Sequence, residues 1–287
     1  MTPTARYALA GVAALALAAG ASASSAQSMF GYSGPATWTG PYVGVFGGAV
    51  IDNDQDDETL RFDRNLDGNF GDPVTTAAAA NAFGPGFCGG FATGNAQPLG
   101  CYKDKTGDQA GIRAGYDYQI GSFVVGIVGD VQAIDHEDSV TGFSTTPASY
   151  VFTRSVESMA AVRARLGYAF GPALVYGTAG AAYAKVDNRF FTTNGMNTFT
   201  ETADDDKANG YQAGGGLEFA LAPHLSLTAE YLYTSLDAGD YVVRVGQGTA
   251  AATNPFVLAP NTTGTDIIRS NSRIGMHAVN IGMSYRF

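Results

Sequence analysis

The sequence predicts an all-β fold: an eight-stranded antiparallel transmembrane β-barrel, an up-and-down meander preceded by a cleavable signal peptide. Three observations carry this. The closing segment alternates strictly, with Val279, Ile281, Met283, Tyr285 and Phe287 on one face and Asn280, Gly282, Ser284 and Arg286 on the other. Successive strand side chains point to opposite faces, so one side of this strand is apolar and the other polar. That is the expected last strand of a barrel with lipid outside and packed polar groups inside, rather than the edge of a soluble sandwich. At the other end, Arg6 precedes an uncharged apolar stretch, 7–19, followed by Ala21-Ser22-Ala23 and Ser24-Ser25-Ala26. This is a secretory signal peptide, too short to span a membrane as a helix. Finally, eight alternating segments are joined by connections that are short and long in strict turn, as periplasmic turns and extracellular loops are.

The segments are 41–50, 108–119, 123–133, 155–168, 173–185, 208–221, 225–236 and 273–287. In the second, Ala110, Ile112, Ala114, Tyr116 and Tyr118 oppose Gln109, Arg113 and Asp117; in the fourth, Val156, Ala160, Val162, Ala164 and Leu166 oppose Glu157, Arg163 and Arg165. The fifth is small and apolar on both faces, which leaves its orientation open. Tight turns at Ile120-Gly121-Ser122, 169–172 and Ala222-Pro223-His224 alternate with long polar loops at 51–107, 134–154, 186–207 and 237–272. Residues 1–26 are therefore read as signal peptide, 27–39 as a periplasmic segment and 40–287 as the barrel. Backbone groups in hydrocarbon must all be paired, which demands closure, and an even strand count lets first and last pair antiparallel. Tyr118, Phe123, Tyr168, Phe219, Tyr285 and Phe287 fall at the short-turn ends, where an aromatic girdle belongs.

Composition agrees. Gly (38 residues), Tyr (15) and Phe (17) are abundant while only 15% of residues are charged, as in a barrel wall. Mean hydropathy is near zero because alternation averages out. The net charge of −10 argues against a nucleic-acid partner.

The polar faces carry Arg113, Arg163, Arg165 and Arg286 against Asp117, Asp130, Glu157, Glu218 and Glu230. Opposite charges inside a narrow barrel pair with each other. Eight strands enclose a space just wide enough for side chains to fill. The expectation is an ion-paired, plugged interior; the competing one is a small conduction path. Phe287, Tyr285 and Met283 are the expected C-terminal assembly signal.

In the first loop, Cys88 and Cys101 are expected to form a disulfide in an exported protein, two free thiols being the alternative. The same loop reads Asp63-Arg64-Asn65-Leu66-Asp67-Gly68-Asn69-Phe70-Gly71-Asp72. Alternating oxygen ligands at Asp63, Asn65 and Asp67 with a following glycine match the front of a calcium loop. Val74 stands where the closing glutamate belongs, so Asp72 would substitute; the alternative is a plain Asn/Asp/Gly turn. No other cofactor is expected.

In order and spacing, Trp38-Thr39-Gly40-Pro41-Tyr42-Val43-Gly44, Arg113-Ala114-Gly115-Tyr116, Tyr176-Gly177-Thr178-Ala179-Gly180, Gly214-Gly215-Gly216-Leu217-Glu218, Ala229-Glu230-Tyr231-Leu232-Tyr233 and Tyr285-Arg286-Phe287 resemble the alphaproteobacterial porin-family surface antigens. These belong to the superfamily that includes the barrel of outer membrane protein A. The long cysteine-bearing first loop departs from that family. The resemblance implies a Gram-negative outer-membrane location, lipid and lipopolysaccharide around the wall, assembly by the barrel-assembly machinery through the last strand, and a monomer. The functional expectation is a structural, surface-interacting protein and no enzyme. The alternatives are a weak diffusion channel and a lipid-modifying enzyme built on His136, His224 or His277.

Overall fold

The computed structural model describes residues 36–52, 57–104 and 106–287. The signal-peptide assignment and most of the periplasmic segment lie outside these residues. Eight long strands form a closed antiparallel ring: β1 (Gly40–Asp52), β2 (Gly107–Ile120), β3 (Phe123–Ser144), β4 (Ala148–Phe170), β5 (Ala173–Thr192), β6 (Lys207–Ala222), β7 (Leu225–Asp237) and β8 (Arg273–Arg286). Each pairs with its neighbours in sequence, and β1 closes onto β8. The turns between β2 and β3 and between β4 and β5 use Gly121 (φ 62°) and Gly171 (φ 58°), the left-handed conformation that glycine adopts without strain.

The register defines the cylinder. Paired residues run from Val50 through Ala278, Leu232, Gly214, Thr178, Arg165, Gly126 and Asp117 back to β1 at Gly40. One circuit thus slides ten residues along β1, from Val50 to Gly40. With a rise of ~3.3 Å per residue and strands ~4.8 Å apart, that stagger corresponds to a tilt of about 40°. All of this row faces the lumen, so parity is preserved around the ring.

On the outside, β4 presents Tyr168, Leu166, Ala164, Val162 and Ala160 and then turns charged at Glu157. Neighbouring strands change in the same way: Asp135 and Glu137 on β3, Lys185 on β5, Lys207 on β6 and Asp237 on β7 are all exposed. The apolar wall below these charges is roughly 20–25 Å tall, the height of an outer-membrane hydrocarbon band. Tyr116, Tyr118, Phe123, Tyr168, Phe170, Tyr285 and Phe287 are exposed at its short-turn end, and Phe219 is half-buried there. Placing arginine at Ala164, midway between the girdle and Glu157, is expected to cost about 2–4 kcal/mol. Urea unfolding of the protein folded into vesicles measures it; an unchanged midpoint would mean that this face does not meet lipid.

Two sequence expectations change. Glu157 lies outside, not in the lumen. The register of β4 against β5 shifts between Val156 and Ser158, leaving Glu157 as the extra residue of a bulge. A bulge reverses the facing of everything beyond it. Val156 therefore packs inward, and Glu157, its side chain 49% exposed, pairs with Lys185 Nζ at 3.1 Å.

The long loops are also largely structured. β3 and β4 continue past the apolar band to Ser144 and Ala148, so 134–154 is a hairpin rather than an irregular loop. Parts of the first, third and fourth loops form a second antiparallel sheet in the order Thr198–Asp204, Tyr241–Gly246, Thr265–Arg269, Leu60–Asp63. Val140, Tyr150 and Phe152 on one face of the β3–β4 extension pack against Phe62, Phe83, Phe256 and Ile267. Phe83 centres this cluster, with ring centroids 4.5 Å from Phe62 and 5.3 Å from Tyr150. On the opposite face, Phe143 and Val151 pack against Ala92, Cys88 and Cys101. The extension is thus the middle layer of a cap above the membrane. The alternating faces of 140–152 are both apolar because both are covered.

Candidate functional site: the barrel lumen

The inward residues of β4 give the axis of the molecule: Arg165, Arg163, Ala161, Met159, then beyond the bulge Val156, Arg154, Phe152 and Tyr150. Two charged layers therefore alternate with two apolar ones, and strand pairing surrounds each with partners.

At the periplasmic end Trp38, Leu174, Val124 and Tyr176 form an apolar plug. Trp38 is held by its own backbone, whose N–H donates to Gln119 Oε1 (2.9 Å) and whose carbonyl accepts from Arg286 Nη1 (2.6 Å). Above it Asp117 accepts from Arg165 (2.8 Å) and Arg286 (3.0 Å). Glu218 pairs with Arg165, lies 3.6 Å from Arg286, and accepts from Ser226 Oγ (2.6 Å). One layer higher, Arg113 pairs with Glu230 (2.8 Å), Arg163 with Asp130 (2.8 Å), and Tyr176 Oη donates to Glu230 (2.9 Å). Rings cover the guanidinium faces: Tyr176 lies 3.8 Å from Arg165, Phe46 4.6 Å from Arg113 and Tyr42 4.7 Å from Arg286. The eight lumen residues expected from sequence, Arg113, Asp117, Asp130, Arg163, Arg165, Glu218, Glu230 and Arg286, are all buried, four cations against four anions. With Glu157 outside, this set is electrically neutral. Neutrality, and an opposite charge beside every member, are what permit such a density of buried charge.

Sequence reading missed the upper half of the lumen filling. Val50, Ile134, Met159, Val186, Leu232 and Met276 fill the lumen above the charges. Over them sits a second ionic layer at the neck. Arg269, from the fourth loop, donates to Glu58 (2.8 Å from Nε) and to Asp138 (2.8 Å from Nη2); Arg154 also donates to Asp138 (2.8 Å). Arg269 Nη1 additionally caps the Asp138 and Phe152 carbonyls at 2.8 and 3.1 Å. Burial raises the Asp138 carboxyl, but Arg269 and Arg154 outweigh it and hold it down at about 2. The signal available beforehand was that Asp138 keeps the inward parity of Asp130 along its strand; Arg154 has the outward parity of its own strand and is turned inward only by the bulge at Glu157.

The remaining expected residues fall elsewhere. Cys88 and Cys101 are disulfide-bonded. Met283, Tyr285 and Phe287 face outward, and the Phe287 N–H donates to the Pro41 carbonyl at 3.0 Å. Asp63, Asn65, Asp67 and Asp72 form a nested turn. Asp63 accepts the amides of Asp67 and Gly68, Asn65 that of Asp67, Asp67 that of Asn69, and Asp72 those of Arg64 and Asn65. Their oxygens are organised around backbone amides, and among the described residues no group of three or more His, Cys, Asp or Glu is arranged to hold a metal. The histidines are scattered. His277 shares a 2.5 Å hydrogen bond with Tyr231 on the outer face; His224 donates to the Arg286 carbonyl (2.8 Å) at the opposite end; His136 is buried at the neck.

A closed eight-stranded cylinder with an apolar exterior band, aromatic girdle and ion-paired core defines an integral β-barrel of a Gram-negative outer membrane. The chain belongs to the outer membrane protein beta-barrel domain family, whose family model matches residues 11–287. A 31 kDa outer-membrane immunogenic protein of Brucella melitensis is 33% identical over 182 residues, 62% of this chain and 65% of that protein, so the match spans just under two thirds of its length. A 22 kDa outer membrane protein of Rhizobium leguminosarum is 29% identical over 170 residues, 59% of this chain and 70% of that one. Among solved structures, the outer membrane protein OprG of Pseudomonas aeruginosa aligns with a TM-score of 0.48 at 13% identity, covering 88% of this chain and 99% of that one.

Proposed function

We propose that this protein is a structural, surface-presenting barrel of the outer membrane: a closed anchor that holds a folded cap outside the cell and passes no solute. The observation that carries this reading is the unbroken fill of the lumen, from Trp38 through both charge layers and the Leu232–Met276 layer to Arg269 at the neck. Barrel size limits conduction, and here every tier is occupied. Lipid surrounds the wall and lipopolysaccharide meets the charged rim. The barrel-assembly machinery reads Met283, Tyr285 and Phe287, and the barrel works as a monomer without a nucleic-acid partner. No catalytic role is assigned: the hydrogen bonds of His277 and His224 go to the Tyr231 hydroxyl on the outer face and to a backbone carbonyl, not to a serine or a carboxylate. Purified protein in planar bilayers is expected to be electrically silent at high protein load. Steady, salt-dependent single-channel steps would overturn the sealed-barrel reading and make the protein a narrow diffusion pore.

A further inference from the structure

The cap has an open side. The strand Thr198–Asp204 is an edge of the second sheet, with Tyr241–Gly246 as its one strand neighbour among the described residues. The facing edge is the top of β5, which runs on to Thr192 after its partner β6 has begun at Lys207 opposite Lys185. The two edges meet at their lower end, where Val186 N–H donates to the Asp206 carbonyl (2.9 Å) and Asn188 Nδ2 donates to Asp204 Oδ1 (3.0 Å). From there they diverge into a wedge of about 290 Å³ lined by Phe190, Phe191, Thr192, Phe199, Glu201 and Val243. Its floor is aromatic, with the Phe190 and Phe199 rings 5.2 Å apart.

We infer that this wedge receives an extended, cationic peptide segment, which adds as a strand to Thr198–Asp204 and seats one large apolar side chain on Phe190 and Phe199. An edge strand leaves a row of N–H and C=O groups unpaired, and strand addition satisfies them without sequence preference. Specificity then comes from the pocket and the rim. Arg189 is matched by Asp187 and Lys185 by Glu157. Among the described residues none of Glu201, Asp204, Asp205 and Asp206 is held in an ion pair with a lysine or arginine, and all four are exposed. The Glu201 carboxylate accepts from Tyr241 Oη at 2.7 Å and stays exposed at the mouth. A second copy of this chain fits poorly, because antiparallel self-pairing centred between Thr202 and Ala203 would set Glu201 directly opposite Asp204 of the other copy, and like charges directly opposite are destabilising. The inference names a partner class for the surface role proposed above.

The test uses the full-length protein in detergent micelles and a fluorescein-labelled octapeptide of alternating lysine and threonine with a central phenylalanine. Saturable binding is expected. It should fall at least tenfold when alternate peptide nitrogens are methylated, at least tenfold in Glu201→Lys, and severalfold when the phenylalanine is replaced by serine. The unboiled gel shift checks that each variant stays folded. If methylation leaves binding unchanged, the contact is charge attraction alone and strand addition is wrong. If no binding occurs, or if Thr200→Cys instead cross-links two copies of the protein, the cationic-peptide assignment is overturned. Bilayer conductance is unaffected by any of these outcomes, so failure here is distinct from failure of the sealed-barrel reading.

Discussion

Arg163→Ala is expected to be the most damaging single change in the barrel, lowering stability by about 3–5 kcal/mol. Arg163 is fully buried, its guanidinium 2.8 Å from Asp130 and 3.7 Å from Glu230. Truncation leaves the buried Asp130 carboxylate without its close partner. The cost arises from that orphaned charge rather than from the worth of the pair, since the desolvation of two ions offsets most of their attraction. The double variant Arg163→Met, Asp130→Leu should therefore recover most of the loss, while Glu230 keeps its bonds from Arg113 and Tyr176. Urea titration of the folded-barrel gel shift, in vesicles, compares the three proteins. A single variant as stable as the parent, or a double variant as weak as the single, would refute the role of the pair.

Acid is expected to loosen the cap while leaving the barrel closed. The Asp138 carboxyl lies above the membrane band. It is held at about 2 because Arg269 and Arg154 outweigh the burial that would raise it. A carboxyl depressed in the folded state stabilises that state above its unfolded pKa, near 4, and loses this contribution as pH falls through the folded value. The gap from an ordinary aspartate corresponds to roughly 2–3 kcal/mol. Near-UV circular dichroism and pepsin cleavage between pH 5 and 1.5 should report loss of the packing around Tyr150 and Phe83 below about pH 3. Asp138→Asn should show a cap that is weaker at neutral pH and almost insensitive across this range. Identical pH profiles for parent and variant would remove Asp138 from the account of how the cap is held.

The membrane-spanning half was legible because its rule is local. Period-two alternation assigns Arg113, Arg163 and Arg165 to one face from sequence alone, and the register carries that parity unbroken from Val50 to Gly40. Glu157 failed the same test because a bulge adds one residue without interrupting the alternation visible in sequence. The cap failed for a different reason. Leu60–Asp63 pairs with Thr265–Arg269 across some two hundred residues, and no short-range pattern announces such a partner. Phe87, Phe143 and Val151 read as isolated loop hydrophobics until the layers that cover them are known. A clue did exist: Ser149-Tyr150-Val151-Phe152 is apolar on both parities, the mark of a strand covered on two faces.

Alone, the amino-acid order determined the outer-membrane barrel, its eight strands, its outward apolar face and eight of the nine charges expected in its lumen, because lipid outside and crowding inside impose a constraint on every second residue. Only the tertiary structure decided that Glu58, Asp138, Arg154 and Arg269 meet in an ionic layer at the neck, and that the loops fold into a cap with an open edge at Thr198–Asp204. Those features depend on which distant segments meet above the membrane, where water on one side and protein on the other leave no single period for the sequence to follow.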